Sequence, residues 1–395
     1  MWISNFRVVL PDAVLESGAL RIEDGMIAEI LPHPVAGAAI DGRGMLLLPG
    51  FIDMHGDMIE REIEPRPQVR MPLELGLRDL DRKLAGCGIT TAYAALSFSP
   101  SSTYGHLRSF EHTSSVIRGL KAMRGDLLVD HRVHARFEIT FPNALGVIEA
   151  LIRDAAVDLI SLTDHTPGQG QYRDIERVIA RTAREKNLSR DEAEASVARR
   201  IADRTRPAEE LTATLAAISE TCRRHGIAMA SHDDDTVEKV ALMAGLGVTI
   251  SEFPVTLDAA AKARELGLAT AMGAPNALRG ESYSGNLSAR EAHGQGALDI
   301  LAADYHPSAM LPALLELARS DPAGLPGAAR LCGANAALAL GLHDRGAIEV
   351  GKRADLVIAD PDGCGHVAAT LRGGRVIYSD GRIAGAAADA ALCVA

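Results

Sequence analysis

Histidines and carboxylates that close apolar runs are the residues of this sequence best suited to chemistry. His55 and Asp57 lie two residues apart, so on an extended segment both side chains share one face and can converge on a single ion. The same texture recurs at Glu138 in Arg136-Phe137-Glu138, at Asp164-His165, at Ser231-His232-Asp233 and at Asp304-Tyr305-His306. A single histidine at the end of a strand is usually a hydrogen-bonded structural residue. Convergence from several separate runs is a different matter, because only a common site explains it. Imidazole and carboxylate together favour Zn2+, Mn2+ or Fe2+ over the oxygen-seeking Ca2+ and Mg2+. The candidate ligands outnumber the three that hold a mononuclear catalytic zinc, and a carboxylate such as Glu138 can bridge, so one or two divalent ions are expected.

Other residues suit an anion rather than a cation. The stretch 273–290 carries glycines, hydroxyls and arginine, with Asn276, Arg279, Ser282 and Ser284 suited to meet phosphate oxygens. The shorter loop Thr166-Pro167-Gly168-Gln169-Gly170-Gln171-Tyr172-Arg173 adds Arg173, and Arg61 and Arg66 follow closely on the first histidine. The alternative for 273–290 is a surface loop rich in turn formers. It is no nucleotide P-loop, since the Gly-Lys-Ser/Thr ending is missing.

These residues need a frame that aims strand ends at one place. Eight short apolar runs alternate with helical stretches: 51–54, 89–96, 133–139, 157–162, 227–230, 247–250, 268–272 and 298–302. Eight is the number that closes a (β/α)8 barrel, whose active sites lie at the C-terminal strand ends and whose phosphate sites often follow the last two strands. A doubly wound open sheet is the alternative. Both ends of the chain are instead rich in β-like runs, with turns at Glu23-Asp24-Gly25 and Arg372-Gly373-Gly374. They predict one small β-sandwich-like domain from residues 1–48 and 345–395, flanking an α/β barrel over 49–344. The polar insert near 173–225 reads as an amphipathic helical excursion with a solvated face.

Composition narrows the function classes. With 395 residues, 47% hydrophobic and 24% charged, the chain can bury a barrel core with room for an accessory module. The net charge of −11 argues against nonspecific nucleic-acid binding. No membrane-length apolar stretch and no signal-like N-terminus are present, so a cytoplasmic enzyme is expected. The five cysteines, Cys87, Cys222, Cys332, Cys364 and Cys393, include no Cys-x-x-Cys pair and are expected to be reduced and mostly buried.

Pro49-Gly50-Phe51-Ile52-Asp53-Met54-His55 resembles the opening of amidohydrolase-superfamily barrels. Joined to Glu60-Arg61, Pro65-Arg66-Pro67, Asp164-His165-Thr166-Pro167-Gly168-Gln169, Ala230-Ser231-His232-Asp233-Asp234 and Gly273-Ala274-Pro275-Asn276, it is similar to a narrower group. That group is the α-D-ribose 1-methylphosphonate 5-triphosphate diphosphatase family of the carbon–phosphorus lyase pathway. The resemblance implies hydrolysis of a ribose phosphonate 5-triphosphate to the 5-phosphate and diphosphate. The substrate partner is then a phosphorylated sugar phosphonate, and a homo-oligomer is an open option. No lysine offers a carbamylated bridge, and Ser251-Glu252-Phe253 stands where the superfamily often has a histidine, so His165 is expected to take that role. The expected metal ligands are His55, Asp57, Glu138, His165 and His232, with Asp304 as proton acceptor for the attacking water. Arg66, Arg173 and Arg279 are expected on the phosphate oxygens. Hydrolysis of an N-acyl or cyclic amide in the same barrel is the alternative reaction, and a barrel that only binds its ligand is the non-enzymatic one.

Overall fold

The computed structural model describes residues 1–100, 106–282 and 284–383. Tyr283 of the phosphate-suited loop, Cys393 and the last part of the expected C-terminal β module lie outside the described residues.

The chain opens with five strands, β1 (Trp2–Val9), β2 (Val14–Glu23), β3 (Met26–Leu31), β4 (Ile40–Asp41) and β5 (Leu46–Pro49). Eight more follow, separated by helices: β6 (Phe51–Gly56), β7 (Ile89–Phe98), β8 (Asp130–Glu138), β9 (Leu159–Thr163), β10 (Ala228–His232), β11 (Ile250–Glu252), β12 (Ala269–Gly273) and β13 (Ile300–Ala302). The chain then returns to its start with β14 (Leu356–Asp360), β15 (His366–Arg372) and β16 (Arg375–Ser379).

β6 to β13 pair in parallel with each neighbour in sequence order. A parallel bridge between Gly56 and Asp304 joins the last strand to the first, and Asp304 N donates to His55 O at 2.8 Å while Asp57 N donates to Asp304 O at 2.9 Å. These bonds close the barrel and exclude the open doubly wound sheet. The closure runs through the residues expected to do chemistry. Asp53 reinforces it, since one carboxylate oxygen accepts from His55 N at 3.1 Å and from Ala303 N at 2.8 Å.

Both termini build the other sheet, in the order β16-β15-β14-β5-β1-β2-β3 with β4 beside β1. Ile3, Phe6, Leu20, Ile27, Leu47 and Leu356 pack in its own apolar core. The expected strand positions match the observed ones with one shift. The sixth run was expected over 247–250, but Gly247, at φ +86°, and Val248 form the turn that ends helix Val237–Gly245, so the strand begins at Ile250. That turn needs the left-handed conformation glycine supplies.

The insert forms three helices, Ile175–Lys186, Arg190–Arg204 and Ala208–His225, the second opened by a Ser189/Glu192 capping box. Cys222 and Cys332 are buried, Cys87 is half-buried, Cys364 is exposed, and all four are free thiols. No helix among the described residues is long and apolar enough to cross a membrane.

Candidate metal centre and phosphate cavity

Strand alternation divides each barrel strand between two environments. On β8, Val133, Ala135 and Phe137 join the core between strands and helices, so His134, Arg136 and Glu138 face the barrel axis. Deeper along the axis the layer is apolar, with Ile52, Met54, Tyr93, Leu159, Ile250 and Ile300 packed together. Above that floor the inward positions turn polar, at His232 on β10, Glu252 on β11 and Asp304 after β13.

One fully buried polar group is His55, His134 and Glu252, whose candidate ligand atoms all lie within 4.8 Å of one another. His134 Nδ1 donates to Met54 O at 3.1 Å, which leaves Nε2 with a lone pair, no hydrogen-bond partner and Glu252 Oε1 3.7 Å away. Burial pulls this imidazole down to about 3, so it is neutral and ready to ligate. His55 Nδ1 lies 3.2 Å from Glu252 Oε1, and its Nε2 is 3.4 Å from Asp57 Oδ1 with no hydrogen-bond partner. Burial opposes a charge on His55, yet Glu252 and Asp57 outweigh it and push the ring up to about 10, so this place favours a cation, and a metal ion would displace the proton from Nε2. Glu252 is likewise buried, but contact with the His134 and His55 rings and hydrogen bonds from His232 and His55 hold its carboxyl far below the usual range. Two orphaned imidazole nitrogens around a buried carboxylate are the donor set of a divalent transition metal.

His165, His232 and Asp233 form a second metal-capable group beside the first. Here a cation already stands. Arg136 is 7% exposed, and its Nη2 donates to His232 Nε2 at 3.1 Å and reaches His165 Nε2 at 3.5 Å. The far nitrogen of each ring is also engaged, His232 Nδ1 with Glu252 at 3.2 Å and His165 Nδ1 with Glu138 at 2.7 Å. The partners fix both rings as neutral Nδ1–H tautomers whose lone pairs converge on the guanidinium. Arg136 Nη1 also donates to Asp57 Oδ1 at 3.0 Å. Burial opposes ionisation of Asp57, but Arg136 and His55 hold its carboxyl well below the usual carboxylate range.

Several strands end on a non-glycine residue with positive φ: Asp233 at 53°, Phe253 at 52° and Asp304 at 54°. For phenylalanine this conformation is costly. It turns the ring edge-on against His55, with centroids 4.9 Å apart, and against His232 at 5.4 Å. Asp304, half-buried next to Asp57, has its carboxyl pushed up to about 7 by desolvation and by that neighbouring charge, in the range a proton acceptor needs near neutral pH.

These groups open onto a cavity of about 540 Å³. Of the expected phosphate-binding residues, Asn276, Arg279, Ser282 and Ser284 line it, along with His55, Asp57, His232 and Asp304 of the expected centre. Arg61 lines it and Arg66 does not; Arg66 is exposed and bridges Val69 in a turn. Arg173 lines a neighbouring cavity instead. Asn276 also braces the loop, donating to Leu287 O at 3.3 Å and accepting from Ala289 N at 3.0 Å.

Glu138, expected to bridge two ions, holds His165 on one side and Arg204 on the other, the latter at 3.1 Å. Arg204 is 2% exposed, stacks 5.0 Å from the Phe141 ring centroid, and comes from the last turn of helix Arg190–Arg204. The insert is therefore more than a solvated excursion: it delivers a buried cation to the partner of a site histidine. Arg204→Met should cost about 3 kcal/mol by leaving the Glu138 carboxylate buried without its cation. The check is a denaturant midpoint, with Glu138→Gln in the same chain recovering most of the loss.

His134, Arg136 and Glu252 are the site residues that reading the strand ends passed over. The signal for the first two was available, because His134-x-Arg136-x-Glu138 has the period of one strand face. Glu252 stood in view as a departure from an expected histidine, and it is the carboxylate around which the first group assembles.

No family model matches the chain. It is 36% identical over 388 residues to the alpha-D-ribose 1-methylphosphonate 5-triphosphate diphosphatase of Escherichia coli (strain K12), covering 96% of this chain and 100% of that one. Similar solved structures include dihydropyrimidinase from Brevibacillus agri NCHU1002, with a TM-score of 0.64, 14% identity, and coverage of 98% of this chain and 96% of that one. N-acetyl-D-glucosamine-6-phosphate deacetylase from Mycobacterium smegmatis also matches with a TM-score of 0.64, at 15% identity, over 96% of this chain and 100% of that one. At such identities the likeness is one of fold.

Proposed function

Since the chain belongs to the alpha-D-ribose 1-methylphosphonate 5-triphosphate diphosphatase family, we propose that it is a metal-dependent hydrolase that cleaves a ribose 1-alkylphosphonate 5-triphosphate to the 5-phosphate and diphosphate. The observation that carries this reading is the buried His55–His134–Glu252 group beside Arg136, opening into a cavity walled by Arg279, Ser282 and Ser284.

The donor set fits one divalent ion, Zn2+ first and Mn2+ or Fe2+ as alternatives, held by His55, His134 and Glu252 with Asp57 at the edge. Such an ion, when bound, supplies Lewis acidity and lowers the pKa of water. The chain's own groups do the rest. Asp304 takes the proton of the attacking water, a role its raised, half-buried carboxyl suits. Arg136 meets the negative charge that builds on the phosphoryl oxygens, from a position preorganised by Asp57, His165 and His232. Arg61, Arg279, Ser282 and Ser284 orient the phosphate chain, and Phe253 keeps the rings of His55 and His232 in place. Glu138 acts through His165, whose ring it holds.

The test is a metal-reconstituted assay on ribose 1-methylphosphonate 5-triphosphate with separate detection of diphosphate and orthophosphate. Stoichiometric diphosphate is the expected product. Release of orthophosphate alone, or turnover of N-acyl or cyclic amides with none of the triphosphate, would move the assignment elsewhere in the fold.

A further inference from the structure

A second cavity, of about 420 Å³, adjoins the first and shares Gln171, Ser284 and Asn286 with it. Its outer wall is made by Arg173, Arg177, Arg181 and Arg184. Spacings of four, four and three residues keep the side chains of helix Ile175–Lys186 and its entry segment on one face. Like charges at such spacings destabilise a helix, and here they are concentrated in a chain whose net charge is −11. One acid lines the cavity, Asp174, and its side chain caps the helix by accepting from Arg177 N. Arg181 is paired with Glu185 at 2.7 Å.

One contact joins this cavity to the metal-capable centre and another joins its arginine wall to the 273–290 loop. Gln171 Nε2 donates to Asp233 Oδ2 at 2.8 Å, so one side chain separates the second cavity from the His165–His232–Asp233 group. Arg177 Nη1 donates to Ser284 O at 2.6 Å and clips the 273–290 loop to the helix. A Cβ at Gly285, where φ is +71°, would lie 2.1 Å from that guanidinium and would push it off this contact.

We propose that the second cavity is a diphosphate subsite, which takes the terminal, departing end of the substrate's triphosphate while the first cavity holds the phosphorus next to the sugar. This rests on the triphosphate reading above. In the cleavage, the water oxygen bonds to the sugar-proximal phosphorus and the bond from that phosphorus to the bridging oxygen breaks. The bonding pair leaves on the diphosphate, and the water proton goes to Asp304. Guanidinium groups match this leaving group, because their paired N–H donors fit phosphate oxygens and their charge does not titrate.

The experiment is calorimetric titration of the metal-loaded, full-length protein with inorganic pyrophosphate and, for comparison, orthophosphate. Arg173→Glu and Arg184→Glu are the test variants, both at exposed positions. Arg375→Glu, exposed on β16 of the terminal sheet, controls for the change in net charge. Pyrophosphate should bind at least about tenfold tighter than orthophosphate, and each test variant should weaken it by about tenfold or more, with the control within about twofold. The same two variants should raise KM for the triphosphate. Absent pyrophosphate binding, or equal affinities in all four proteins, would overturn the subsite. Arginine-dependent pyrophosphate binding without triphosphate turnover would keep the subsite and remove the hydrolytic reading. Diphosphate release unaffected by either test variant would do the reverse.

Discussion

Glu252→Gln protein should retain less than about a tenth of the metal held by the wild type and hydrolyse the triphosphate on the order of a thousandfold more slowly. The substitution is close to isosteric, so packing around the barrel axis changes little. What changes is charge. Among the described residues Glu252 is the one carboxylate in contact with all three rings, His55, His134 and His232, while Asp57 beside His55 and Asp233 beside His232 add to its pull. An amide in its place supplies a neutral oxygen, and it presents N–H donors to nitrogens that should instead direct lone pairs at an ion. Chelation of the wild type should give the same loss of activity, reversed by Zn2+, whereas the variant should recover little. Elemental analysis of both proteins, with thermal unfolding as a control for folding, decides the matter. A Glu252→Gln protein with full metal content would remove Glu252 from the ligand set.

Arg136→Lys should reduce kcat by about 10²- to 10³-fold while keeping about one equivalent of bound metal per chain. The guanidinium reaches Asp57 with one nitrogen and two imidazole nitrogens with another, a fork that a lysine ammonium on its flexible stem cannot reproduce. It also stands where the lone pairs of His165 and His232 converge, the place a second ion would take. On this view the site holds one metal and one fixed organic cation. Two equivalents in the wild-type protein would show that the guanidinium yields its place to an ion, and an Arg136→Lys kcat within a fewfold of wild type would show that it does not meet the reacting phosphate.

Much of the frame was legible in the residues. Eight apolar runs, β-rich ends and the order of polar strand ends sufficed for the barrel and for the sheet shared by both termini, because period and turn chemistry are local properties. That His55, Asp57, His232 and Asp304 come together at one end of the barrel was legible for the same reason: each closes a strand, and parallel barrel strands all end on one side. Among the anion-suited residues the loop 273–290 could be read from composition, whereas Arg66 and Arg173, chosen for charge and nearness in sequence, line other surfaces than the first cavity.

The sequence by itself therefore determined the class of frame, the kind of chemistry at its open end and the family the chain resembles. Tertiary structure alone decided which groups pair there. Glu138 looked like a bridging ligand until Arg204, 66 residues later, was found against it. Barrel closure sets Arg136 between Asp57 and two histidines from other strands, a pairing no local pattern carries. Whether a carboxylate ligates or forms an ion pair, and whether a cation is a metal or a guanidinium, depends on which charges lie within a few ångströms, and that proximity comes from strands distant in the chain.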